Sequence, residues 1–175
     1  MRPCSLVLLL CVFLSGCGYR DFQQLDAERQ AAWSALTPLY QQRTALVANL
    51  LSAARALPGL DPALLAGLAQ ARQQAGAQPS APALPDDAAQ LLAHAAAQAA
   101  LTATLAPVLQ AARRAPGLLP MVGQFEGLEN RITVARNRYS LATQQYNALL
   151  DSFPSSLTAR VTGLTPRPAL PGKPV

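Results

Sequence analysis

The sequence predicts an all-α protein, an elongated up-and-down antiparallel four-helix bundle with three long helices and one shorter. Three observations carry this. The 175 residues are 51% hydrophobic and include 35 Ala and 31 Leu, against eight Val and one Ile. Ala and Leu are strong helix formers, whereas strands favour β-branched and aromatic side chains. The 15 prolines cluster at ends and links, and only Pro38 and Pro107 fall inside apolar patterns. Those patterns repeat every three and four positions, the period of a helix that buries one face. A chain of this length can bury one core of its own.

The first element is an address. Met1-Arg2-Pro3 is a short positive start, and Cys4 to Leu14 is apolar except for Ser5. Such a run spans about 17 Å as a helix, short of the ~30 Å hydrocarbon core of a bilayer. It reads as the h-region of a secretory signal, not as a transmembrane helix. Leu14-Ser15-Gly16-Cys17 follows, and this resembles a bacterial lipobox, with small residues before a Cys that receives a diacylglyceryl thioether. The expectation is cleavage between Gly16 and Cys17, loss of residues 1–16 as signal peptide, and diacylglycerol plus an N-acyl chain on Cys17. An ordinary signal peptide that happens to end beside a Cys is the other reading. Two or three acyl chains, at ~0.8 kcal/mol per buried CH₂, hold a protein stably on a membrane. Cys4 and Cys11 leave with the signal and Cys17 is consumed, so no thiol remains for a disulfide, a thiolate zinc site or a nucleophile. Gly18, where Asp would signal inner-membrane retention, points to the periplasmic face of the outer membrane in a Gram-negative host, and otherwise to the plasma membrane.

The first bundle helix is expected from Tyr19 to Leu57, ended by Pro58-Gly59. Its stripe is Phe22, Leu25, Arg29, Ala32, Leu36, Leu39, Arg43, Leu46, Leu50, Ala53 and Leu57, with Trp33, Tyr40 and Val47 widening one flank. Asp61 as N-cap and Pro62 at the first helical position open the second helix, which fades near Gly76. Gln78 to Pro85 reads as an extended Pro/Ala/Ser link. Asp86 or Asp87 caps an Ala-rich third helix that reaches Ala115 before Pro116-Gly117. The fourth, from Met121 to Ser152, has the clearest stripe: Phe125, Leu128, Ile132, Ala135, Tyr139, Ala142, Tyr146, Leu149 and Phe153. Asn130, Asn137, Gln144 and Asp151 lie opposite, all polar. Such a heptad seam packs nearly parallel against its neighbours with a left-handed twist. The bundle is thus placed at residues 17–164. Residues 165–175 hold four prolines and are expected to be an extended, disordered tail, with a docking peptide as the other reading.

A family resemblance rests on residues that recur in order along the chain. The first helix supplies Tyr19, Leu25, Ala32-Trp33-Ser34, Arg43, Leu46 and Asn49-Leu50, and the second Ala71-Arg72. The fourth supplies Glu126-Gly127-Leu128-Glu129-Asn130-Arg131-Ile132, then Ala135-Arg136, Tyr139, Tyr146-Asn147 and Phe153-Pro154. Gly163 and Pro166-Arg167-Pro168 complete the pattern. Over about residues 19–168 the chain resembles the LemA family of bacterial envelope proteins. The resemblance implies a helical bundle outside the cytoplasm and no established enzymatic activity. Many members carry one N-terminal transmembrane helix; a lipid on Cys17 would replace it here. Where the family commonly has Pro before the Asn-Leu pair, this chain has Ala48, and its proline is Pro38, so any kink moves N-terminal.

Several side chains invite chemistry. Arg43 and Glu129 lie on or beside predicted seams, and an Arg fork can reach a carboxylate across a helix interface and fix register. The alternative is that Arg43 lays its stem on the seam and puts its head in water. Glu126 and Glu129 stand three apart, but the residue three before His94 is Leu91, which rules out a Glu-x-x-His metal motif there. His94 is read as a partly exposed helix residue. Asn130, Arg131, Arg136, Asn137 and Arg138 form a polar, basic flank of the fourth helix, a candidate interaction face. Residues 17–175 hold 13 Lys and Arg against 9 Asp and Glu, too slight an excess for nucleic acid. The expectation is a lipid-anchored, extracytoplasmic, non-catalytic scaffold or adaptor that binds another envelope protein, without metal or cofactor. The alternative is a small-ligand lipoprotein with an apolar cavity between the helices, where the Ala-rich third helix faces Trp33 and Tyr40.

Overall fold

A computed structural model describes residues 3–55, 60–78 and 87–171, with the backbone alone over 3–17. Among the described residues there are five α-helices and no strand: α1 (Pro3–Arg55), α2 (Pro62–Gly76), α3 (Ala88–Ala112), α4 (Leu119–Asp151) and α5 (Ser155–Thr162). A 3₁₀ turn, Pro116–Leu118, joins α3 to α4. The starts of α2 and α3 follow from their caps. Asp61 Oδ1 accepts from the Ala63 N–H at 2.8 Å, and Asp87 Oδ1 does the same for Ala89 at 2.9 Å. Each satisfies an N–H that the helix leaves without a partner.

α1 begins upstream of its expected start. It is one helix from Pro3 through Tyr19, because no proline lies between Leu14 and Tyr19 to stop it. The side chains of the apolar run, Gly16 and Cys17 lie outside the described residues, as do the Pro58-Gly59 stop and residues 79–85 of the link. Pro38 sits on the exposed side of α1, and the helix runs through it unbroken.

Paired contacts give the helix directions. Phe22 meets Tyr146 edge-on with ring centres 5.4 Å apart, Trp33 meets Tyr139 at 5.8 Å, and Arg43 reaches Glu129. Partners descend α4 as they ascend α1, so the two run antiparallel. α3 ascends with α1, from Trp33–His94 to Arg43–Gln98. α2 returns along α1, with Arg72 Nε donating to the Thr44 carbonyl at 3.1 Å.

The buried face of α1 is wider than its seam. Trp33, Tyr40 and Val47 are buried, while Ala32, Leu39 and Leu46 are only partly so. Three other helices pack on that flank, so the core-facing stripe rotates toward it. One cluster joins Val47, Leu50, Leu51 and Ala54 to α2, α3 and Phe125; a second surrounds Trp33, Leu128, Ile132 and Tyr139; a third holds Phe22, Tyr146 and Ala159. α3 is long and apolar enough to cross a membrane, yet Leu91, Leu101, Leu105 and Val108 are buried in these clusters. These large side chains serve the core.

Three expectations are corrected here. The α4 stripe is buried from Phe125 to Tyr146, but the helix ends at Asp151 and Phe153 is 82% exposed. The chain turns at Ser152–Pro154 and forms α5, a helix too short to show a period in sequence. The C-terminal segment is docked, not disordered, over its described part. Tyr139 Oη donates to the Pro168 carbonyl at 3.0 Å, Asn147 bonds the Arg167 backbone twice, and Leu170 is buried. His94 is 6% exposed rather than partly exposed, because Trp33 and Tyr40 close over it.

Candidate functional site

Arg43 projects from α1 into the junction of α1, α3 and α4, and it is 1% exposed. Its fork divides between two helices. Nη1 donates to Thr102 Oγ1 at 2.7 Å and to the two Glu129 carboxylate oxygens at 3.2 and 3.3 Å. Nη2 donates to the Gln98 carbonyl at 3.0 Å and to Gln98 Oε1. The guanidinium carbon lies 5.4 Å from the Tyr40 ring centre, in cation–π range. A buried charge is tolerated only when paired and hydrogen-bonded, and these contacts supply both. The alternative in which the Arg43 head reaches water does not hold.

Gln98 and Thr102 stand four apart on the Ala-rich helix, so both face Arg43. Two polar residues at that spacing in an Ala run were the available sign, and sequence reasoning missed it. His94 lies one turn before Gln98. Its ring centre is 5.4 Å from that of Trp33 and 5.3 Å from that of Tyr40. Burial holds its pKa below the usual 6.5, and the Arg43 charge adds to this. Burial raises the Tyr40 phenol above 10, partly offset by Arg136 and Arg43. The place where the alternative, small-ligand reading put an apolar cavity is occupied by His94. What remains there is an open cleft of about 290 Å³ with Thr37, Thr44, Arg72 and Gln98 in its walls.

Glu126 and Glu129 go to different arginines. Glu126 meets Arg113 at 2.7 Å, both more than half exposed, a pairing that contributes little in water. The two carboxylates do not converge.

The predicted interaction face divides. Asn130, Arg131 and Arg138 border a groove of about 640 Å³ between α1 and α4, floored by Ala31, Ala32, Ala35, Ala135 and Ala142. Val134 and Leu141 stand exposed in its wall. Arg131 also borders a second groove, about 470 Å³, beside Gly123 and Gly127, so the two adjoin. Arg136 is turned away from this groove and donates from Nη2 to the Pro171 carbonyl at 2.9 Å. Asn137 is half-buried. Successive helix residues turn by about 100°, so five near neighbours cannot share one face.

The tail has its own clamp. Asn147 Nδ2 donates to the Arg167 carbonyl at 2.9 Å, and the Arg167 N–H returns a bond to Asn147 Oδ1 at 2.8 Å. The Arg167 guanidinium lies 5.4 Å from the Tyr146 ring centre. Arg29, the other seam arginine, is buried and bonds Asp26 at 2.8 Å.

Arg43, Glu129 and Asn147, with the docked Pro166-Arg167-Pro168 segment, are among the residues that carried the family resemblance. The sequence profile of the LemA family matches residues 32–172, most of the chain. The chain belongs to the LemA family. The match begins at Ala32, so the N-terminal part of α1, with Tyr19 and Leu25, lies outside it. It includes Arg43, Glu129 and the docked segment up to Pro171. A search of curated proteins finds no match.

Proposed function

We propose that this LemA-family protein is a lipid-anchored, extracytoplasmic scaffold or adaptor of the cell envelope. An up-and-down bundle of four long and short helices, extended by α5, is tethered through diacylglycerol and an N-acyl chain on Cys17. It binds another envelope protein along one helix face and performs no chemistry of its own. Gly18 favours the periplasmic face of the outer membrane if the host is Gram-negative.

The α1–α4 groove carries this reading. Val134 and Leu141 are about half exposed at 47% and 51%, seven residues apart on one side of α4. Alanines floor the groove and Arg131 and Arg138 rim it. A shallow apolar trough with a basic rim accepts an amphipathic helix, whose anchors recur at matching three- and four-residue spacing. The Arg43 clamp behind it supports the same reading, since a docking face needs fixed helix register.

A photo-crosslinking amino acid at Val134, in the tethered protein in cells, tests the docking. One discrete adduct with an envelope protein is expected, lost on Leu141→Glu and absent from a probe at exposed Leu92 on α3. The same adducts from Leu92 and Val134 would overturn it. Labelled fatty acid feeding, with Cys17→Ser as control, tests the tether: label is expected on wild type alone.

A further inference from the structure

α5 is packed at the end of the bundle where α1 leaves for the N-terminal apolar run. A Cβ built on Gly18 would meet Thr158 Oγ1 at 3.1 Å and the Ser155 backbone at 3.6 Å. Only glycine allows this approach without displacement. Ser155 and Ala159, four apart, face inward and are buried against the third core cluster. The opposite side of α5 is apolar as well. Leu157 and Val161 are 55% and 88% exposed, and Phe153, four residues before Leu157, is 82% exposed.

Leu157 and Val161, four apart on α5, form a short exposed apolar stripe, and Phe153 stands exposed in the turn just before the helix. Elsewhere on the described surface the exposed apolar residues border the groove or stand singly, which is ordinary for a soluble face. The position of this stripe decides what covers it. α1 is continuous from Pro3 to Arg55, and Gly18 follows Leu14, the end of the apolar run, by about 6 Å of helix. Cys17 is its immediate neighbour. Whatever holds the N-terminal segment at a bilayer therefore holds α5 within about one helix diameter of that bilayer. Tyr19, next along α1, is also exposed, and an amphipathic aromatic suits the headgroup level. Arg160 is exposed beside Val161, where its stem can lie on lipid and its head reach phosphate.

We propose that the Leu157–Val161 face of α5, with the exposed Phe153 before it and Tyr19 on α1, is a membrane-contact surface that seats the tethered end of the bundle on the lipid bilayer. It converts a flexible tether into a fixed orientation, so that the α1–α4 groove points in a defined direction from the membrane. This rests on the reading that the N-terminal segment tethers the chain. It holds whether the tether is a lipid on Cys17 or the apolar run itself.

The test places a photo-crosslinking amino acid at Leu157 or Val161 in the full chain in bacterial cells. Leu92 on α3 and Val134 on α4 serve as controls. Adducts are read by mass, alongside membrane fractionation and the acyl mass on Cys17. Phospholipid adducts from positions 157 and 161, at least tenfold above those from 92 and 134, are expected. Membrane-bound protein that yields no lipid adduct at 157 and 161, or only protein adducts including a second copy of the chain, overturns the contact surface and leaves the tether standing. A soluble chain without acyl mass overturns both, and the fractionation distinguishes that failure from the first. Lipid adducts without acyl mass on Cys17 support the surface while removing the lipid from the tether.

Discussion

Arg43 on α1 holds Glu129 on α4 at 3.2 Å across the helix interface, with the arginine buried and the carboxylate about a third exposed. The asymmetry matters more than the pair. The cation has no route to water, while the anion keeps one edge in solvent. Gln98 and Thr102 add α3 to the same fork. One side chain thereby ties three helices at a single level, and a one-turn slip of any of them would separate the partners by about 5.4 Å.

Glu129→Ala is expected to destabilise the fold more than Arg43→Met. The first leaves a buried cation without its countercharge, at a cost of about 1–3 kcal/mol. The second leaves a carboxylate that water can solvate, and an apolar residue of similar length replaces the buried charge. Urea unfolding followed by circular dichroism checks this. Equal midpoints for Glu129→Ala and wild type would show that the pair carries no stability.

Stability should fall on mild acidification. Burial and Arg43 hold the His94 pKa below its ordinary value of 6.5, so the unfolded chain binds the proton more readily. The contribution of His94 is full above about pH 6.5 and is lost as pH falls through the lowered value. Thermal unfolding of wild type and His94→Phe between pH 7.5 and 5 separates this from carboxylate titration. Phe keeps a ring against Trp33 and Tyr40 and removes the proton site, so its curve should be flatter over that range. Parallel curves would contradict the assignment.

The helices were legible because packing writes a period into them. Phe125 to Tyr146 alternate by three and four, and every one of those stripe positions is buried. Asp61 and Asp87 announce their helices by cap chemistry. What escaped has no period. α5 has eight residues, about two turns, and Phe153 continued the α4 spacing by chance. The docked tail is held by backbone bonds to Asn147 and Tyr139, which no side-chain pattern encodes. His94 stands among alanines, and only the arrival of Trp33 and Tyr40 from another helix buries it. The predicted polar face of α4 mixed residues that a 100° turn separates.

The tail should be released without unfolding the bundle. Asn147→Ala removes both bonds to the Arg167 backbone, which leaves that N–H and carbonyl to be solvated at a cost of about 1–3 kcal/mol. Hydrogen exchange should rise at Arg167, and a protease should cleave near Pro168–Leu170 faster than in wild type. Leu128, Ile132 and Ala135 keep their packing, so the main melting transition should move by only a few degrees. A large drop in that transition would mean that the tail is part of the core.

Glycines offer the sharpest contrast between identical substitutions. Gly163 ends α5 with φ +69°, and the Leu164 N–H bonds back to the Ala159 carbonyl at 3.0 Å. This is the left-handed helix ending that glycine favours, and an alanine there pays the strain of that region, about 1–2 kcal/mol. Gly67 in α2 and Gly127 in α4 are ordinary helical positions, and a Cβ on either meets nothing within 4 Å. Alanine at each should stabilise by about 0.5–1 kcal/mol through the reduced freedom of the unfolded chain. Gly163→Ala should therefore lower the unfolding midpoint of α5, and Gly67→Ala should raise that of the bundle. Gly127→Ala tests more. It should also raise the midpoint, but its methyl group enters the second groove, which adjoins the docking groove at Arg131. A stabilised Gly127→Ala protein with weakened crosslinking from Val134 would show that this glycine is kept for docking and not for folding.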